Sequence, residues 1–245
     1  MKKRLQPVTL VLLGALLGTL AMYALSRQAE PPAIPPGDSE VIYRFQVIYH
    51  NQGIWALPQW LGIEVHQTAP DLLVTQEIIT ELKPDFIVET GTKYGGSALF
   101  YASILDHVNP SGRVITVDLN PQVEQASKLP LFRKYVRVIK GDSVGPSTLA
   151  QIAAAVKGKR TMVLLDSDHR GPHVLKELKA YSAFVSKGSY LIVEDTILDR
   201  NPLGIRPGPL AALHEFLKTN PPFIIDRSRE KLLLTFYQDG WLKRI

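Results

Sequence analysis

From residue 86 onward the sequence alternates short β-rich apolar runs with stretches of helical periodicity. The runs are Phe86–Glu89, Val114–Asp118, Val136–Ile139, Met162–Asp166, Tyr190–Glu194, Phe223–Ile225 and Leu232–Tyr237. Such alternation predicts a mostly parallel sheet covered by helices on both faces. One intervening helix is predicted over Asp71–Leu82, entered through Thr68-Ala69-Pro70-Asp71 in a capping-box pattern, and another over Val174–Val185. In the second, Val174, Leu178, Tyr181 and Val185 share a face and read as core. Only Asp226 to Glu230 separates the last two runs, which predicts an antiparallel pair at one sheet edge. The expected fold is α/β: a Rossmann-like, doubly wound, mostly parallel seven-stranded sheet with an antiparallel edge.

The segment before this region has a different character. Lys2, Lys3 and Arg4 precede an uncharged apolar run from Pro7 to Leu25, about the length a bilayer core requires. Residues 1–25 are therefore expected to be a single transmembrane helix or a signal; the length of the run favours a retained anchor, and Ala24-Leu25-Ser26 offers a cleavage pattern. Positive charge on the short side predicts a cytoplasmic N-terminus, with the domain on the far side of the membrane. Residues 26–40, with Pro31, Pro32, Pro35, Pro36 and Gly37, read as a semi-extended spacer, which leaves 41–245 as one domain. The net charge of +5 comes with no basic stripe interleaved with aromatics, so no nucleic-acid partner is expected. The chain has no cysteine, so any metal must sit on oxygen or imidazole ligands.

Glu89, Asp118, Asp166 and the pair Glu194-Asp195 stand at the C-terminal ends of predicted strands, the edge at which open parallel sheets bind ligands. Glu89-Thr90-Gly91-Thr92-Lys93-Tyr94-Gly95-Gly96-Ser97 runs from a strand through a glycine turn into a helix. Gly91 and Gly95 permit a tight turn and close backbone approach, and the helix beginning near Ser97 offers free N–H groups. The spacing is not that of the dinucleotide fingerprint, and an acidic residue before the turn suits a cationic cofactor such as S-adenosylmethionine. Asp118 is placed to accept ribose hydroxyls, and Asp142 with Ser143, after the third strand, to meet the adenine side. Asp166, Glu194 and Asp195 would repel one another unless a cation or protons neutralised them; a hard divalent ion, magnesium first, is the economical solution. Asp166 would then serve both metal and catalysis. His169, three residues further on, is the candidate base, with a structural role as the alternative.

These residues resemble the cephalosporin hydroxylase and rhamnosyl O-methyltransferase family, metal-dependent relatives of catechol O-methyltransferase. The likeness runs from about Tyr43 to Arg244 and rests on Trp60-Leu61-Gly62, Pro70-Asp71-Leu72, the Glu89 to Ser97 motif, Gly141-Asp142-Ser143, Leu165 to His169, His173 to Leu178 and Val193-Glu194-Asp195-Thr196. It implies cofactor contacts at Glu89, Gly91, Asp118 and Asp142, and a metal on Asp166, Glu194 and Asp195. The catechol enzyme's lysine base falls at His169. The expected activity is S-adenosylmethionine-dependent, magnesium-dependent O-methylation of a sugar, glycolipid or small-metabolite hydroxyl. Two alternatives are a non-catalytic membrane-tethered binding domain and a hydroxylase, the latter drawing on His169, His173 and Asp166. The acceptor and the oligomeric state are left open.

Overall fold

The computed structural model describes residues 34–245. The apolar run Pro7–Leu25 lies outside them; among the described residues no helix is long and apolar enough to cross a membrane. The first element, α1 (Pro36–Asn51), begins inside the stretch read as a spacer. It is not an isolated extension: Gln46 donates its amide to the Thr235 carbonyl at 3.0 Å, and the Tyr49 ring meets Phe236 edge-on at 5.8 Å. A small antiparallel hairpin, β1 (Gln59–Trp60) and β2 (Ile63–Glu64), follows. It leads to α2 (Ala69–Leu82), whose N-cap Thr68 accepts the Asp71 backbone N–H as the capping pattern predicts.

The sheet is built from β3 (Phe86–Thr90), β4 (Arg113–Asp118), β5 (Val136–Lys140), β6 (Thr161–Leu165), β7 (Tyr190–Val193), β8 (Phe223–Ile225) and β9 (Trp241–Arg244). Their order is β5-β4-β3-β6-β7-β9-β8, with the first five parallel and β9 antiparallel to both its neighbours. The edge hairpin is therefore present, but its second strand is Trp241–Arg244 and not Leu232–Tyr237. The backbone of the latter is engaged elsewhere: Asp71 accepts the Phe236 N–H at 2.9 Å, and the Phe236 carbonyl accepts Ile197 N–H at 3.0 Å.

Alternating side chains along each strand feed two cores, one per face. Ile87 joins Ile78 and Ile79 of α2, Leu99 and Leu105 of α3 (Gly96–Val108) and Phe132 of α4 (Pro130–Tyr135). Val88 joins Ile152 of α5 (Pro146–Val156), Leu178 of α6 (Gly171–Tyr181) and Phe216 of α7 (Pro209–Leu217). The helix read as Val174–Val185 thus starts earlier and ends at Tyr181, where a 3₁₀ turn over Ser182–Phe184 takes over. The chain winds outward from β3 to β5, then returns to β6 on the other side of β3. Between β3 and β6 the direction reverses, which opens a crevice at their C-terminal ends.

Candidate active site

That crevice is a cavity of about 700 Å³, lined by Gly91, Ser97, Asp118, Asp142, Ser143, Asp166, His169 and Asp195 among others. At one end, Gly91 has φ +90, and a Cβ added to it would lie 1.8 Å from the Asp166 carbonyl oxygen. Only glycine lets the turn after β3 pass this close to the end of β6. The turn is fastened across to β4, since Lys93 N–H donates to Asp118 Oδ2 at 2.9 Å while Asn120 N–H donates to Oδ1 at 2.8 Å. Asp118 keeps further lone pairs for ligand hydroxyls. Beyond it, Asp142 Oδ1 accepts Val144 N–H at 3.0 Å, and Ser143 Oγ lies 3.1 Å from His173 Nε2.

At the other end, ligand atoms of Asp166, His169 and Asp195 all lie within 4.8 Å of one another. His169 Nε2 stands 3.4 Å from Asp195 Oδ2 and 4.0 Å from Asp166 Oδ1. Asp195 reaches the cleft through a left-handed backbone, φ +54, uncommon for a residue other than glycine. Burial, then the Glu194 and Asp195 charges, push the Asp166 carboxyl well above the usual range. Asp168 is different: the Arg170 guanidinium hydrogen-bonds it and holds its carboxyl down at about 2, which makes it a weak proton acceptor.

Three predicted site residues do not line the cavity. Glu89 is fully buried beneath the turn, where Ser97 and Thr116 hydroxyls each donate to it at 2.5 Å; burial nevertheless raises its carboxyl to about 7. Gly95 caps α3 in a left-handed conformation against the Phe132 ring, so its role is to shape the turn. Glu194 is 1% exposed and faces inward, accepting Tyr237 Oη–H at 2.5 Å and Gln67 Nε2–H at 2.8 and 3.1 Å. It remains the leading charge acting on Asp166. Conversely, no local pattern marks Trp55 or His66, yet with Tyr94 of the glycine turn they form a wall of the cavity, Trp55–His66 and His66–Tyr94 each edge-on at 5.3 Å. The hydroxylase alternative enlists His173 beside His169 and Asp166. His173 lies instead with Glu177, whose carboxylate raises its pKa, and with Ser143 and Ser167.

Comparison with known proteins places the chain in a family. The family model Rhamnosyl O-methyltransferase/CmcI matches residues 52–245. The rhamnosyl O-methyltransferase of Mycobacterium leprae is 31% identical over 217 residues, covering 85% of this chain and 92% of the relative. That of Mycobacterium tuberculosis is 30% identical over 197 residues, covering 74% of each. Among solved structures, CmcI with magnesium and S-adenosylmethionine superposes with a TM-score of 0.60 at 18% identity, covering 78% of this chain and 77% of that one. The apo TDP-rhamnose 3'-O-methyltransferase of calicheamicin biosynthesis gives 0.50 at 18% identity, covering 78% and 90%. The chain belongs to the Rhamnosyl O-methyltransferase/CmcI family, and thereby to the class I S-adenosylmethionine-dependent O-methyltransferases.

Proposed function

We propose that the protein methylates a hydroxyl of a sugar acceptor, with S-adenosylmethionine as methyl donor and magnesium as the bound ion. The observation that carries this reading is the crevice itself: a glycine turn and Asp118 at one end, gathered carboxylates at the other, in one cavity. The residues suit both groups. No lysine or arginine among the described residues pairs with Asp166, Glu194 or Asp195, so a cation is the fitting neutraliser. Asp166 and Asp195 would hold it, with His169 beside them and the buried Glu194 charge behind. Gly91, Asp118, Asp142 and Ser143 would hold the cofactor. When bound, the cofactor supplies an electrophilic methyl group and the metal makes the acceptor hydroxyl more acidic. His169 is placed to take that hydroxyl's proton, since Asp168 is tied to Arg170. The wall of Trp55, His66 and Tyr94 offers the flat apolar surface on which a sugar ring stacks. The acceptor sugar is read from the relatives named rhamnosyl O-methyltransferase.

A hydroxylase is disfavoured by the position of His173, which leaves His169, among the described residues, as the one imidazole beside Asp166 and Asp195. Titration calorimetry with S-adenosylmethionine, with and without magnesium, separates an enzyme from an inert binding domain. Binding strengthened by magnesium supports the proposal; absence of any binding refutes it. We further infer from Lys2 to Arg4 and the apolar run Pro7–Leu25 that the domain is tethered to a membrane and lies on its far side. Protease protection in spheroplasts tests this, and a fully shielded domain would contradict it.

A further inference from the structure

The stretch between β7 and α7 contributes no strand to the sheet, yet Leu198, Leu203, Gly204 and Ile205 of it line the cavity. Leu203 and Ile205 stay open at its rim, 77% and 37% exposed. One side chain holds them there. Asn201 is fully buried; its Nδ2 donates to Asn51 Oδ1 at 2.8 Å and lies 2.9 Å from His50 Nδ1, both at the C-terminal end of α1. Its Oδ1 accepts Leu203 N–H at 3.0 Å, and its carbonyl accepts Gly204 N–H at 2.9 Å. A second strap comes from the same helix, where Tyr43 Oη donates to the Arg200 carbonyl at 2.8 Å. Gly204 lets the turn close, since a Cβ there would lie 2.0 Å from the Leu198 carbonyl oxygen. His50 also reaches the aromatic wall: its ring stacks on Trp55 with centroids 6.3 Å apart, and its carbonyl accepts Trp55 Nε1–H at 3.2 Å.

We propose that Asn201 is a positioning residue that sets the acceptor slot, by locking residues 198–205 to the aromatic wall through His50 and Asn51. The inference rests on the sugar-acceptor reading given above. Asn201 does not itself line the cavity; it acts through Leu203 and Ile205, whose backbone it fixes relative to Trp55. A loop whose apolar side chains are already in place binds its ligand without the cost of ordering them, so the gain appears in acceptor affinity. The transfer step lies outside its reach, because Asn201 makes no hydrogen bond to Asp166, His169 or Asp195 among the described residues. Loss of the lock should therefore raise the acceptor KM and leave kcat in place, the pattern of an interaction equally strong in ground state and transition state.

The test uses the full-length protein with p-nitrophenyl α-L-rhamnoside as the probe acceptor, its KM and kcat read from transfer of labelled methyl. S-adenosylmethionine affinity and the melting midpoint are measured beside them. Asn201→Ala is expected to raise the acceptor KM by about tenfold, the order of the cost of ordering two loose side chains. Its kcat and S-adenosylmethionine affinity should stay within about twofold of wild type. Tyr43→Phe, which removes only the second strap, should give a smaller rise in the same constant. Should Asn201→Ala fail to fold, Asn51→Ala, at an exposed position, carries the test with the same expected direction. An unchanged acceptor KM in the folded variants would overturn the inference and leave the sugar reading intact, as would matched losses of kcat and S-adenosylmethionine affinity. Absence of any rhamnoside methylation by a wild type that binds S-adenosylmethionine would overturn the sugar reading and this inference together.

Discussion

The backbone N–H of Lys93 donates to Asp118 Oδ2 at 2.9 Å, tying the glycine turn after β3 to the end of β4. Asp118 is therefore both a fastener of the turn and a wall of the cofactor end of the cavity. Asp118→Ala is expected to weaken S-adenosylmethionine binding by about 1 to 3 kcal/mol, the usual cost of leaving buried polar partners unpaired. Calorimetric titration measures it, and an unchanged affinity would remove Asp118 from the site.

Gly91→Ala should be far more disruptive. The new methyl group would lie 1.8 Å from the Asp166 carbonyl oxygen, on a backbone with φ +90. Strain plus clash should cost more than roughly 2 kcal/mol of stability. Because the contact joins the cofactor turn to the metal turn, affinity for both ligands should fall together. Urea unfolding with paired nucleoside and Mn(II) titrations checks this; a variant of wild-type stability would show that the two turns are not in contact.

Much of this frame was legible in the sequence, for local reasons. The Thr68 cap and the glycine turn are short-range patterns, and each strand from β3 to β7 is marked by its own apolar residues. What could not be read depends on distant partners. Leu232–Tyr237 has strand composition, yet Asp71 and Gln46 claim its backbone, and the antiparallel edge passes to Trp241–Arg244. Trp55 and His66 lie before the sheet and become part of the site only when α1 and α2 pack against the C-terminal segments. The inward orientation of Glu194, against the outward one of Asp195, follows from the left-handed backbone at Asp195, which no spacing rule announces.

Asp71 supplies a pH dependence of stability. Burial, opposed by its hydrogen bonds with Thr235, Phe236 and Thr68, raises its carboxyl from 3.8 to about 7. A raised carboxyl binds its proton more tightly folded than unfolded, so its stabilisation is fully present below about pH 4 and is lost as pH rises through about 7. The loss is at most roughly 4 kcal/mol, at about 1.4 kcal/mol per pH unit. Relative to Asp71→Asn, which keeps the shape without titrating, wild type should become progressively less stable across that window. Chemical unfolding at several pH values measures the difference, and parallel profiles for the two proteins would refute it.

His169→Ala should lower the turnover number by roughly 10² to 10⁴, the range of a general base, while S-adenosylmethionine affinity holds. The imidazole lies 3.4 Å from Asp195, so its loss is also expected to alter the metal requirement modestly. Wild-type turnover in this variant would assign proton removal to another group.

The account's central claim is that one cavity joins cofactor and metal for transfer of a methyl group to a sugar hydroxyl. The most direct measurement follows labelled methyl from S-adenosylmethionine into a rhamnosyl acceptor by product mass spectrometry, with magnesium or with chelator. The account predicts a methyl ether on the sugar that forms with magnesium, disappears in chelator and returns when the ion is restored. Equal product in chelator, or no transfer to any hydroxylated acceptor by a protein that binds the cofactor, would contradict it.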